Sequence, residues 1–113
     1  MIEGDMKIIV NSNNAEELVG TMVNRIGTGQ VAGWACDRGG DFICTVDTEV
    51  GYERAWISAF VMHGEVHFLL LPFDPKVVLS DRGKRVLRDY FLDMLHLYFG
   101  DKVVGERVER LRR

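Results

Sequence analysis

Apolar and polar residues follow different rhythms along this chain. Between Ala15 and Ile26, the residues Leu18, Val19, Met22, Val23 and Ile26 recur at spacings of one, three, one and three. That spacing draws a narrow apolar stripe on a helix. Asn14, followed by Glu17 three residues on, has the form of a capping box, in which a side-chain oxygen accepts from an orphan N–H of the first turn. Gly27 is placed to end the helix in a left-handed conformation. The pattern predicts a helix over 15–26. Before it, the β-branched run Lys7-Ile8-Ile9-Val10 reads as a strand, stopped by the polar segment Asn11 to Asn14.

Residues 30–72 read as an antiparallel meander. Gln30 to Asp37 and Asp41 to Asp47 flank Arg38-Gly39-Gly40, a glycine pair suited to a primed hairpin turn. With that turn, Cys36 faces Ile43 and Cys44 faces Ala35. A looser loop from Thr48 to Glu53 leads into Arg54 to Met62, and a turn at His63-Gly64 or Gly64-Glu65 leads into Val66 to Leu71. This last hairpin is the clearest strand signal. Trp56, Phe60 and Met62 fall on one face of its first strand, and Ile57, Ala59 and Val61 on the other. Both faces are apolar, the pattern of strands covered on two sides.

Pro72-Phe73-Asp74-Pro75 breaks the sheet. Ser80 can cap a second, longer helix, on which Val86, Leu87, Tyr90, Phe91, Met94, Leu95 and Tyr98 form a stripe, and Gly100 ends it. Val103 to Leu111 reads as a short amphipathic helix, and a helix of that length is marginal alone in water, so it docks or frays. The expected fold is α+β. It is a four- to five-stranded antiparallel meander with one N-terminal helix and one long plus one short C-terminal helix packed on it. Residues 1–113 form a single domain, with 103–113 as a basic C-terminal helix.

Size agrees with one domain. A 12.9 kDa chain exposes roughly 6,300 Å² when folded against roughly 18,700 Å² unfolded, enough burial for one core without metal or disulfide staples. The net charge of −3 resolves into two halves: residues 1–56 hold 9 acids and 4 bases, and residues 57–113 hold 8 acids and 10 bases. An acidic chain is a poor general nucleic-acid binder, but the basic end keeps that reading open. No run of about 18 apolar residues exists, so no membrane span is expected. Met1 to Asp5 lacks the basic-then-apolar order of a signal peptide, and two cysteines make no disulfide framework. The cytoplasm is the expected compartment.

Candidate chemistry is sparse. Cys36 and Cys44 have no local histidine motif that would activate a thiol. His63, Glu65 and His67 have a metal-ligand spacing, but Gly64 puts a turn inside it. Asp93 and His96, one turn apart, read as a helix-surface pair. Neither a metal nor a cofactor is expected. Lys76, Arg82, Lys84, Arg85 and Arg88 crowd the start of the long helix, where the macrodipole disfavours cations. With Arg107 and Arg110 they form a candidate site for an anion or nucleic acid, and Asp81–Arg85 and Arg85–Asp89 ion pairs offer a simpler account. Trp34, Trp56 and Phe60 are candidate stacking residues for such a partner.

Three functions of different classes follow. The first is a non-enzymatic interaction or regulatory module. It is a homodimer, or binds another protein, because a sheet apolar on both faces needs more cover than its helices supply. Trp56, Phe60, Met62 and Phe68 are its candidate interface. The second is a nucleic-acid or phosphate-binding protein using the basic residues above. The third is a small hydrolase or transferase built on Cys36 or Cys44 with His63 or His67 and Asp37 or Asp47.

Overall fold

The computed structural model describes residues 6–45, 55–72, 76 and 80–110. Asp47, the loop from Thr48 to Glu53, the segment Phe73 to Pro75 and the arginines at 112 and 113 lie outside the described residues. In chain order the elements are β1 (Met6–Asn11), α1 (Ala15–Gly27), β2 (Trp34–Cys36), β3 (Phe42–Cys44), β4 (Ala55–Met62), β5 (Glu65–Pro72), α2 (Asp81–Phe99), a 3-10 turn (Gly100–Lys102) and β6 (Gly105–Arg110). The protein is α+β, as its patterning predicts.

Both helices start where a capping side chain stands. The Asn14 side chain accepts from the Glu17 N–H at 3.0 Å, and Ser80 Oγ accepts from the Gly83 N–H at 2.9 Å. Each satisfies a backbone donor that the helix itself leaves without a partner. Replacing Asn14 by alanine is expected to lower stability by about 1 kcal/mol, read as a shift in the urea midpoint at unchanged slope. The end of α1 differs from expectation. Gly27 is still helical, Thr28 caps through its N–H to the Asn24 carbonyl, and Gly29 takes the left-handed conformation at φ +79.

Among the described residues the strands form one six-stranded sheet in the order β2-β3-β4-β5-β1-β6, and every neighbouring pair is antiparallel. The meander β2 to β5 was expected. His63 and Gly64, at φ 52 and 77, make the two-residue turn between β4 and β5, with Met62 opposite Glu65. Positive φ at both positions is the primed geometry that matches strand twist.

Two expectations are corrected. The β2–β3 register is one residue off: Cys36 faces Phe42, and Trp34 faces Cys44. The cause is Asp37, whose carboxylate accepts from the N–H groups of Gly39 and Asp41, both at 2.9 Å, and so builds a wider loop than a glycine pair alone. The short C-terminal helix is instead strand β6, lying along β1 with Ile8 opposite Val108. Its charge spacing suits a helix, but six residues nucleate a helix poorly, whereas β1 offers a ready row of backbone partners.

The core lies on one side of the sheet. Ile8, Val10, Ile57, Val66, Phe68 and Leu70 point towards the helices. They meet Leu18, Met22 and Ile26 of α1 and Leu87, Phe91 and Leu95 of α2. Phe91 anchors the contact, with its ring 4.8 Å from Phe68 and 5.6 Å from Trp34. Both helices therefore cover the same face.

Candidate interaction face

Side chains alternate across a strand, so the register fixes what the other face carries. On β4 it carries Trp56, Ser58, Phe60 and Met62, and on β5 it carries Glu65, His67, Leu69 and Leu71. Cross-strand rows then run Ile43–Trp56–Leu71, Ser58–Leu69–Lys7–Glu109 and Phe60–His67–Ile9–Arg107. Among the described residues no helix packs on this side. An antiparallel sheet with one uncovered face ordinarily alternates apolar inside and polar outside. Here Ile43, Trp56, Phe60, Met62, Leu69 and Leu71 put apolar groups on β3, β4 and half of β5, with Ser58, Glu65 and His67 among them, while β1 and β6 carry Lys7, Arg107 and Glu109 beside Ile9, which is 1% exposed. Phe60 is 49% exposed and Met62 48%. Ser58, buried among them, donates from Oγ to Asp41 Oδ1 at 2.7 Å, so its hydroxyl is satisfied.

The charged half is a linked network. Arg107 donates from Nη1 to Glu65 Oε2 at 3.0 Å and from Nε to Glu109 Oε2 at 3.3 Å. Glu65 Oε1 lies 3.4 Å from His67 Nε2, close enough for an ion pair with a protonated ring. Both ring nitrogens of His67 are shielded from solvent, and neither makes a well-formed hydrogen bond. The hydrogen bond from Arg107 holds the Glu65 carboxyl below the usual carboxylate range, with the charge of Arg107 and the His67 contact adding to it and partial desolvation opposing it. The contribution of this pair is present above the ordinary carboxylate value and is lost as pH falls through the lower folded one. Replacing Arg107 by alanine is therefore expected to move the Glu65 titration upwards, as followed by the carboxyl carbon shift in NMR.

The other candidate residues fall elsewhere. Phe68, grouped with Trp56, Phe60 and Met62 from the sequence, points the opposite way and is 1% exposed beneath α2. Trp34 is also in the core, so it offers no stacking surface. Arg82 and Arg85 are exposed on the first turns of α2, Lys76 is exposed, and Lys84 is buried. Arg88 pairs with Asp89 at 2.9 Å. Arg82, Lys84, Arg85 and Arg88 belong to α2 on the helix side, whereas Trp56, Phe60 and Arg107 sit on the opposite face. Arg110 closes β6 opposite Met6. The α2 cations and the exposed Phe60 are thus not brought together, whereas Arg107 shares a row of the sheet with Phe60.

The cysteines and histidines are also apart. Cys36 and Cys44 face the helix side, packed against the core, while His67 faces the other way and His63 sits in the hairpin turn. Burial, then the neighbouring Asp37 and Asp41, push the Cys36 thiol up, away from the reactive thiolate. His96 pairs with Glu106, tying α2 to β6. The residues that patterning missed are Ile43, Leu69 and Leu71. The hairpin register pairs Trp56 with Leu71 and Ser58 with Leu69, so fixing the turn at His63-Gly64 would have found the last two.

No helix among the described residues is long and apolar enough to cross a membrane. No protein-family model, curated protein or solved structure matches this chain, and the reading of its surface rests on the chemistry above.

Proposed function

We propose that this chain is a non-enzymatic protein-interaction module that self-associates through the sheet face on which, among the described residues, no helix packs. The observation that supports it is the apolar part of that face, where Phe60 and Met62 stand half exposed opposite His67 and Glu65, with Leu69 diagonal to Phe60 and Trp56, Leu71 and Ile43 further along the same face. Scattered exposed apolar residues need no explanation, but a contiguous patch on a flat face marks a contact surface. The geometry suits a second copy. Six strands about 4.8 Å apart, the longest eight residues at about 3.4 Å each, span a face about 24 Å by about 27 Å. That is of the order of the ~800 Å² each partner gives to a standard interface.

A two-fold contact buries the same patch on both copies and so must be self-complementary. The face meets this need with an apolar centre and a rim holding Lys7, Glu65, Arg107 and Glu109, two charges of each sign. Size-exclusion chromatography with light scattering tests the reading. The expected mass is at least two 12.9 kDa chains at micromolar concentration. A particle of one chain at every concentration contradicts it.

A further inference from the structure

The sheet also ends in a second surface, separate from its face. β6 is paired with β1 on one side, and among the described residues no strand lies beyond it. An open edge is a template for another strand, and proteins commonly guard such edges with charge. The charges on β6 do not guard it against its own copy. The strand reads Gly105-Glu106-Arg107-Val108-Glu109-Arg110, so its charges reverse sign about Val108.

We infer that β6 pairs antiparallel with β6 of a second copy about a two-fold axis at Val108. In that register Arg107 stands opposite the second copy's Glu109, Glu106 stands opposite position 110, an arginine, and Val108 meets itself. Opposite charges directly across an antiparallel pair stabilise it, and like charges destabilise it. Neighbouring registers fail this test. A shift by one residue either way puts Glu106 against Glu109 or Arg107 against position 110. A shift by two puts Arg107 or Glu109 against itself. Parallel pairing sets every charge against its like. Val108, 40% exposed on the helix side, gains an apolar neighbour where it now meets solvent. Arg107 and Glu109 can keep their contacts to Glu65 and each other, because a guanidinium has donors to spare.

The edge contact runs through the backbone of β6, away from the apolar side chains Phe60 and Met62 on β4. The test is sedimentation velocity on chains carrying Phe60→Asp and Met62→Asp, in which the face contact is absent. These chains are expected to remain dimeric through the edge. Adding Glu109→Arg, or Arg107→Glu, makes both central pairs repulsive and weakens association roughly tenfold or more. Mixing the two variants restores a dimer, because each charge on one edge then meets its opposite on the other. The inference is overturned if the face-disrupted chain is a monomer, if neither charge change alters its association, or if the mixture sediments like its components. The face reading fails separately: the aspartates then leave the mass of the unmodified assembly unchanged, whatever the charge changes do.

Discussion

Replacing Phe60 and Met62 together by aspartate halves the mass of the assembly in solution and leaves the fold intact. Both side chains are about half exposed, so the isolated chain has little to lose. Exposed substitutions usually change stability by less than about 0.5 kcal/mol. Association is a different matter. Each aspartate places a carboxylate where the second copy would bury it against apolar side chains. An uncompensated charge buried in an interface costs at least about 2 kcal/mol, and two-fold symmetry counts each substitution twice. A micromolar contact does not survive that. Sedimentation velocity reads the mass, and thermal unfolding by circular dichroism confirms the fold. An unchanged mass would place the contact elsewhere.

Replacing Phe68 by alanine has the opposite signature. Phe68 is 1% exposed, with its ring 4.8 Å from that of Phe91 and 6.4 Å from that of Phe42. Truncating it leaves a cavity between sheet and helix and removes about 3–5 kcal/mol of stability. Against a total of about 5–15 kcal/mol for a domain, that brings the chain close to unfolding. Phe60→Ala, on the adjacent strand but the other face, is expected to leave the denaturation midpoint nearly unchanged at concentrations below the association range, where no second copy contributes to stability. Urea titrations of the two variants side by side read out which face is core. Equal losses would mean that Phe60 is also covered within the chain.

Much of the fold was legible from residue spacing. The stripe from Leu18 to Ile26 and the cap at Asn14 located α1. The two-faced hairpin was visible because Trp56, Phe60 and Met62 alternate with Ile57, Ala59 and Val61. The failures have physical causes. On β5 both parities are apolar, Val66, Phe68 and Leu70 against Leu69 and Leu71, so periodicity alone assigns no face, and grouping Phe68 with Trp56, Phe60 and Met62 puts it on the wrong side. The β2–β3 register depended on a side-chain cap at Asp37, which a glycine-based turn rule does not weigh. β6 looked helical because Glu106-Arg107-Val108-Glu109-Arg110 satisfies helical charge spacing as well as strand alternation, and only the open edge of β1 decides between them.

The same ambiguity hid the role of Arg107. Read as part of an arginine-rich tail, it suggested an anion partner. Placed on β6, it is one member of a charged rim with Glu65 and Glu109. The surface thus changes character across its width, mostly apolar on β3 and β4, mixed on β5 and β1 and charged on β6, which neither composition nor net charge reveals.

The central claim is that the sheet face opposite the two helices contacts a second copy. Isotope-filtered NMR on an equimolar mixture of labelled and unlabelled chains tests it most directly. The account predicts intermolecular contacts from the Phe60 ring and the Met62 methyl to Trp56, Leu69 or Leu71 of the other copy. Intermolecular contacts confined to the helix side, or none from this face in a sample known to be associated, would contradict it.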